Sequence, residues 1–161
     1  MTPPPDHQLL LREVNNPILA ADHLPHAVNS VLNPGATRLT DVSVLLLRVE
    51  NLRATPLRRM ARSDDGAPGR RFELQPFLAP DPVRRPGEVW GRQDPRLTWL
   101  PEREEGALAC PACSPHGPLV SLALPRDIRE LRRIGPVTPS EDKGAVLSPR
   151  RVDGRWAMWQ R

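Results

Sequence analysis

The segment "WGRQDPRLTWL", Trp90 to Leu100, places one acidic residue, Asp94, between a glutamine and a proline, just before an apolar, strand-like run. A carboxylate at such a position can act as a general acid or base, but a single one makes neither a metal site nor an acid–base pair. An aspartate before proline also often caps a turn through its side chain. On these residues alone, a chemical and a structural role for Asp94 are equally open.

The second candidate for chemistry is "CPAC", in which Cys110 and Cys113 are followed by His116. A structural zinc site takes four ligands, and the sequence has no second cysteine pair. A redox Cys-x-x-Cys pair normally opens a helix, whereas "SPHGP" is typical of a turn. We therefore predict no metal and no redox role, and interpret the two cysteines as buried or half-buried thiols in a strand.

Charge and hydropathy exclude two classes of partner. The net charge is +4, but 22 of the 23 basic residues are arginine, and they alternate with acids in "PEREEG" and "PRDIRELRR". That alternation is the ordinary pattern of a solvated surface, so we expect no nucleic-acid partner. The longest apolar run, "VSVLLL", is far below a membrane span, and the start of the chain has no apolar stretch typical of a signal peptide. We expect a cytoplasmic protein that does not contact a membrane.

The elements that position these residues are predicted from the prolines. The 21 prolines are spread along all 161 residues, which argues for many short elements and against long helices. Three segments open alike with a small polar residue and a proline, and each continues as strand, turn and strand. They are "NPGATRLTDVSVLLLRVE" from Asn33, "DPRLTWLPEREEGALAC" from Asp94 and "SPRRVDGRWAMWQR" from Ser148, and their openings lie 61 and 54 residues apart.

Four short antiparallel strands in a unit of roughly fifty residues are typical of a β-propeller blade, although a β-sandwich with irregular turns fits the strand spacing too. We predict an all-β, propeller-type domain over 1–161. It divides into an N-terminal extension at 1–32, blade units at 33–93 and 94–147, and the start of a third at 148–161. Asn33, Asp94 and Ser148, at equivalent points of the inner strands, would then face one shared pocket.

The number of blades is low, since propellers have about four to eight and this chain holds about three at most. Either the chain is a fragment of a longer protein, or it closes by self-association as a homo-oligomer.

Seven ordered segments carry a resemblance to a known family. They are "NPILAADHLPHAVNSVLNPGATRL", "LLLRVENLR", "ARSDDG", "FLAPDP", "WGRQDPRLTWL", "GPLVSLAL" and "DKGAVLSPRRVDGRWAM". Together they resemble the mannoside phosphorylases and mannosidases of glycoside hydrolase family 130, which have a five-bladed β-propeller fold. The resemblance runs from about Leu9 to Arg161 and implies the N-terminal half of such a protein.

For Asp94 the resemblance implies a catalytic role. It implies that the acid of the Asp-Pro-Arg motif is the general acid that protonates the leaving glycosidic oxygen, in the phosphorylases through a hydroxyl of the sugar itself. Inorganic phosphate, as co-substrate, then attacks the anomeric carbon from the opposite face and inverts it. An inverting hydrolase needs a second carboxylate to activate water, whereas phosphate is already a charged nucleophile that cations can position.

Other residues match the family singly. The resemblance implies that Asn33 and Arg48 hold the sugar, and that Asn51 and Arg53 belong to the adjoining polar loop. Lys143, the only lysine, matches a family lysine near the phosphate and the sugar, although a lone exposed lysine is ordinary on any surface.

Several positions depart from the family pattern. Gln93 stands where glutamate is usual, Gly144 where an aspartate follows the lysine, and Leu119 where many phosphorylases carry a phosphate-binding arginine. His116 replaces an aromatic residue and receives no role. Arg96 is either a ligand-binding residue or, equally, a loop-fixing partner of nearby acids.

The resemblance therefore implies an enzyme that cleaves β-mannoside oligosaccharides, by phosphorolysis to mannose 1-phosphate, with no cofactor. The alternatives are an inverting mannoside hydrolase of the same family and an inactive propeller remnant.

Overall fold

A computed structural model describes residues 14, 16–39, 41–52, 56–63, 71–72, 77–127 and 130–161. Their regular structure consists of ten β-strands and three short 3-10 helices, with no α-helix among these residues. The strands are β1 Ser30–Leu39, β2 Val42–Glu50, β3 Pro56–Ser63, β4 Arg71–Phe72, β5 Arg96–Leu100, β6 Glu105–Ser114, β7 Gly117–Pro125, β8 Leu131–Pro136, β9 Ala145–Val152 and β10 Arg155–Gln160. The 3-10 helices are Ala21–His23, Pro86–Glu88 and Pro101–Arg103.

The strands form three antiparallel sheets that follow one another along the chain. Strands β1 to β4 make the first sheet in sequence order, β5 to β8 make the second, and β9 pairs with β10 in the third. Two four-stranded meanders followed by a hairpin are the arrangement of successive propeller blades. The all-β, propeller-type fold that the sequence predicts is thereby observed over the described residues.

The β9–β10 hairpin is closed by a two-residue turn, Asp153-Gly154. Asp153 and Gly154 both have positive φ, 49° and 74°, which is the geometry of the two-residue turn that Asp-Gly predicts. The turn fixes the register of the hairpin, so that Val152 pairs with Arg155 and Ala145 pairs with Gln160. The end of β10 is thus held beside the start of β9.

The core lies between the sheets rather than inside any one of them. Between the first and second sheets, Leu46 and Met60 pack in one buried cluster with Leu108 and Ala123. Between the second and third, Leu147 and Trp156 of the β9–β10 hairpin pack against a cluster that contains Leu100 and Leu124. Residues that alternate along each strand supply these faces, as the two-residue period of a strand requires.

Each polar-Pro pair of the sequence repeat lies at an irregularity in its inner strand. The pairing of β1 with β2 shifts between Leu32 and Gly35, at Asn33-Pro34. The second pair, Asp94-Pro95, lies between the bridge Arg92–Ala112 and the first β5 partners, Arg96 and Ala109. In β9 the register shifts opposite Trp156–Met158, at Ser148-Pro149. Proline cannot donate to a strand ladder and is tolerated at bulges, so the repeat marks three bulges that re-aim the preceding side chain.

Candidate functional site

The first two bulges bring Asn33 and Asp94 together. Both residues have positive φ, 46° and 39°, a region in which asparagine and aspartate are enriched among non-glycine residues. The Asn33 side-chain amide Nδ2 donates a hydrogen bond of 2.8 Å to Asp94 Oδ1. Strand β1 lies very close to Pro95 at this point. A Cβ atom added at Gly35 of β1 would lie only 2.5 Å from the carbonyl oxygen of Pro95. The carboxylate before β5 therefore faces an inner strand of the neighbouring blade, which is where the sequence repeat placed it.

Strand β2 supplies the cation of the site. Arg48 NH1 donates to Asp94 Oδ1 at 3.0 Å and lies 3.4 Å from Gln93 Oε1. Its other terminal nitrogen, NH2, donates to Glu50 Oε1 at 2.6 Å. Since residues two apart on a strand share a face, Arg48 and Glu50 extend from the same side of β2. Arg48 is thus shared between two carboxylates.

These contacts leave the two oxygens of Asp94 unequal. Asn33 and Arg48 both donate to Oδ1, whereas Oδ2 has no hydrogen bond with any described residue. Burial alone would raise the pKa of Asp94, but the hydrogen bonds from Asn33 and Arg48, with the charges of Arg48 and Arg96, outweigh it and lower the pKa. At neutral pH the site therefore holds an ionised carboxylate, one oxygen of which accepts no hydrogen bond from a described residue.

Because the pKa of Asp94 is lowered in the folded protein, the free energy of unfolding should depend on the ionisation of Asp94 at acid pH. An ionised Asp94 contributes stability that is complete above about pH 4, the unfolded value, and is lost as the pH falls through the lower folded value. Asp94→Asn should remove this contribution, so the difference in unfolding free energy between the two proteins should shrink below about pH 4. Urea unfolding across this range measures it. A difference that stays constant with pH would contradict the lowered pKa.

A pocket of about 400 Å³ opens beside Asp94, between the second and third sheets. Its lining combines one carboxylate with three cationic side chains and an exposed tryptophan, and consists of Asp94, Arg96, Lys143, Gly144, Ala145, Val146, Trp159, Gln160 and Arg161. Lys143 is one of these lining residues, and its role near phosphate and sugar stays a prediction. Gly144, where the family aspartate is missing, lines the pocket too, and a Cβ atom added to it would meet nothing within 4 Å.

Among the lining residues that escaped the sequence reasoning are Trp159, Gln160 and Arg161, at the end of β10 and just after it. A signal was present, since counting back from the Asp153-Gly154 turn pairs the end of β10 with the start of β9. The backbone N–H of Arg161 donates to the carbonyl of Gly144 at 2.9 Å, and that of Lys143 to the carbonyl of Arg161 at 3.4 Å. Trp159, with 60% of its surface exposed, offers an aromatic face to this pocket.

Other predicted residues lie apart from the pocket. Ser148 is buried, and its hydroxyl accepts a hydrogen bond from the backbone N–H of Arg150, so the third repeat does not add its polar side chain to the lining. Asn51 follows the end of β2 and is not among the lining residues either, and Arg53 lies outside the described residues. Leu119 packs near Gly87 and lines a separate cavity of about 220 Å³.

The two cysteines lie in β6, as predicted. Cys110 is buried, and its sulfur lies 2.9 Å from Arg92 NH2, while Cys113 is half-buried. Burial raises the pKa of Cys113, although the charges of Lys143 and Arg48 oppose the effect. Over the described residues, no group of three or more histidine, cysteine, aspartate or glutamate side chains is arranged to hold a metal ion.

No helix in the described part of the chain has the length and apolar character needed to cross a membrane. The predicted cytoplasmic location and self-association stay predictions.

Comparison with known proteins places the chain beside mannoside-active enzymes. No family model matches it. A 4-O-β-D-mannosyl-D-glucose phosphorylase from Bacteroides fragilis is 27% identical over an alignment 162 residues long, which covers 94% of this chain and 40% of that protein. A β-1,2-mannobiose phosphorylase from Listeria innocua, solved with β-1,2-mannobiose, matches with a TM-score of 0.74 at 19% identity, over 90% of this chain and 56% of that one.

A third match comes from a structural description of the mannoside phosphorylase family 130 and its hydrolases that target β-1,2-mannosidic linkages in Candida mannan. Its TM-score is 0.71 at 20% identity, over 83% of this chain and 44% of that one. The chain thus spans about half the length of the proteins it matches. These matches confirm the propeller-type fold and the family resemblance.

Proposed function

We propose that this chain, which resembles the N-terminal half of the mannoside phosphorylases of glycoside hydrolase family 130, cleaves β-mannosides by inverting phosphorolysis. The observation that carries the proposal is the charge pattern of the Asp94 pocket, in which one carboxylate lies with Arg96, Lys143 and Arg161. An inverting hydrolase needs a second carboxylate, roughly 6.5–9.5 Å from the first, to activate water. A pocket with one acid and three cations suits a nucleophile that is already an anion.

In the proposed reaction Asp94 is the general acid. The Asp94 carboxyl gives its proton to a hydroxyl of the sugar, which passes its own proton to the glycosidic oxygen as the bond from that oxygen to the anomeric carbon breaks. An oxygen of phosphate forms the new bond to that carbon from the opposite face. The products are α-mannose 1-phosphate and the released sugar.

A general acid must carry a proton before it can give one, so this role requires that substrate binding raise the pKa of Asp94 from its lowered value. Phosphate carries negative charge, so its binding near Lys143 and Arg96 would weaken the field that keeps Asp94 ionised. Asp94 Oδ2, which accepts no hydrogen bond from a described residue, is the atom that can hold the proton. Phosphate binding would thus prepare the acid as well as supply the nucleophile.

Sugar binding in this proposal uses Trp159, which lines the pocket, together with Asn33 and Arg48, which contact Asp94 but are not among the lining residues. Asn33 and Arg48 hold the carboxylate and offer donors to sugar hydroxyls, and the exposed face of Trp159 offers a surface on which a sugar ring can stack. The named substrate of the Bacteroides fragilis relative, 4-O-β-D-mannosyl-D-glucose, is the first substrate to test.

The test follows release of glucose and mannose 1-phosphate from 4-O-β-D-mannosyl-D-glucose with and without inorganic phosphate. Turnover should require phosphate. Lys143→Met should raise the KM for phosphate by about tenfold, the effect of one charge-assisted hydrogen bond, and should leave the KM for the sugar nearly unchanged. Arg84→Met, at an exposed arginine outside the pocket, is the matched control.

Release of free mannose at equal rates with and without phosphate would show that the reaction is hydrolysis and not phosphorolysis. Absence of both cleavage and binding would overturn the proposal.

A further inference from the structure

Arg48 gives one nitrogen to Asp94 and the other to Glu50, and the proposed reaction does not by itself require this division. The side chains of Arg48 and Glu50 are 17% and 18% exposed. The guanidinium gives NH2 to Glu50 and NH1 to Asp94, and its buried Nε has no hydrogen-bond partner among the described residues. An arginine commonly binds a carboxylate through two nitrogens in a fork. Neither carboxylate receives that fork here.

Glu50 is itself held in place from its other oxygen. Ser30 Oγ donates to Glu50 Oε2 at 3.2 Å, and Ser30 is the register partner of Glu50 across β1 and β2. The hydrogen bond from Arg48, followed by those from Ser30 and Asn29 and by the charge of Arg48, lowers the pKa of Glu50 against the opposing effect of burial. Glu50 is therefore an ionised anchor whose two oxygens have different, fixed partners.

We infer that Glu50 is a positioning residue, which restrains Arg48 to a single-nitrogen contact with Asp94 and so keeps Oδ2 free for proton transfer. The inference rests on the proposed function, because only there does Asp94 need a free oxygen. Without Glu50, the guanidinium can turn its second nitrogen onto Asp94 and form the two-nitrogen fork. That fork would occupy Oδ2 and hold the carboxylate more firmly in its ionised form.

Removal of the Glu50 carboxylate should change the pKa of Asp94. In Glu50→Ala, the carboxyl of Asp94 should titrate at lower pH than in the parent protein, because a neighbouring negative charge is lost and Arg48 pairs with Asp94 more completely. Glu50→Gln loses the same charge, but its amide oxygen still accepts from Arg48, so the titration of Asp94 should move less. For turnover, Glu50→Ala should lower kcat by about tenfold, a part of the effect of a general acid, with a smaller change in KM.

The measurement is a carbon-13 titration of the Asp94 side-chain carboxyl, assigned by its loss in Asp94→Asn. The charged and polar groups that face Asp94 in all variants are the same: Asn33, Arg48, Gln93, Arg96, Cys113 and Lys143. Glu105→Ala is the matched control, because Glu105, at the start of β6, also pairs with an arginine two residues away, Arg103 of the preceding 3-10 helix, and neither residue lines the pocket. That variant should leave the Asp94 titration where it is.

An unchanged Asp94 titration in Glu50→Ala would overturn the inference. Equal shifts in Glu50→Ala and Glu50→Gln would overturn it too, as would an equal change in Glu105→Ala. The titration needs no turnover, so it separates the two claims. A protein in which the Asp94 titration moves as expected but no mannoside is cleaved would retain the positioning role and lose the proposed function.

Discussion

Asp94→Asn is expected to lower the turnover of 4-O-β-D-mannosyl-D-glucose by about 10²–10⁴-fold, the usual contribution of general acid catalysis. Asparagine has nearly the shape of aspartate and tolerates the positive φ of this position, so the backbone at the bulge should persist. It still accepts from Asn33 and Arg48 through its amide oxygen, but it has no proton to give. The loss should therefore appear in kcat, with folding near neutral pH largely retained.

The matched control is Asp153→Asn in the β9–β10 turn. Asp153 also has positive φ, 49°, and lies outside the pocket, so the same chemical change there should leave kcat and KM unaltered. If Asp94→Asn instead unfolds the protein while activity per folded molecule is intact, Asp94 is a turn cap and the catalytic assignment fails.

Glu88→Ala is expected to cause the largest loss of stability, about 3–5 kcal/mol, because it leaves buried arginine charge without its partner. Glu88 is 3% exposed and lies among three arginines. Its oxygens lie 3.3 Å from Arg92 NH1 and 3.1 Å from Arg133 NH1, while Arg85 is at 3.9 Å. Arg92, 1% exposed, is the most affected, since its remaining contacts are a cysteine sulfur and a carbonyl.

Urea unfolding measures this loss against Glu102→Ala as control. Glu102 pairs with Arg151 at 2.9 Å, but both side chains are more than 40% exposed, and such surface pairs contribute about 0–1 kcal/mol. Equal destabilisation in the two variants would show that the buried cluster of Glu88, Arg92 and Arg133 contributes no more to stability than a surface ion pair.

The sequence predicted the parts of this fold that local chemistry determines. The polar-Pro repeat identified the inner strands, because proline at a bulge is a local constraint, and Asp153-Gly154 identified the hairpin. The repeat also paired Asn33 with Asp94 across 61 residues, since equivalent positions of adjacent blades converge. Ser148 shows where that reasoning ends. It shares the motif but has no positive φ, and its hydroxyl bonds locally.

The residues that sequence reasoning missed are those whose partners are set by packing. Nothing near Glu50 in the sequence indicates that Ser30 holds it, because the two meet only through the β1–β2 register. Glu88 and Arg133 lie 45 residues apart and meet only when β8 is in place. Leu119 stands at the sequence position where the family resemblance implies a phosphate-binding arginine. In the structure it lines a different cavity from Asp94. Side chains that act through long-range contacts cannot be assigned from spacing alone.

The most direct test of Asp94 as the general acid compares two substrates that differ in their need for a proton. The leaving group of 2,4-dinitrophenyl β-D-mannoside departs without protonation, whereas the glucose of 4-O-β-D-mannosyl-D-glucose requires it. With phosphate present, Asp94→Asn should lose about 10²–10⁴-fold in kcat on the disaccharide and little on the dinitrophenyl mannoside. A loss of the same factor on both substrates would contradict the role of Asp94 as the acid.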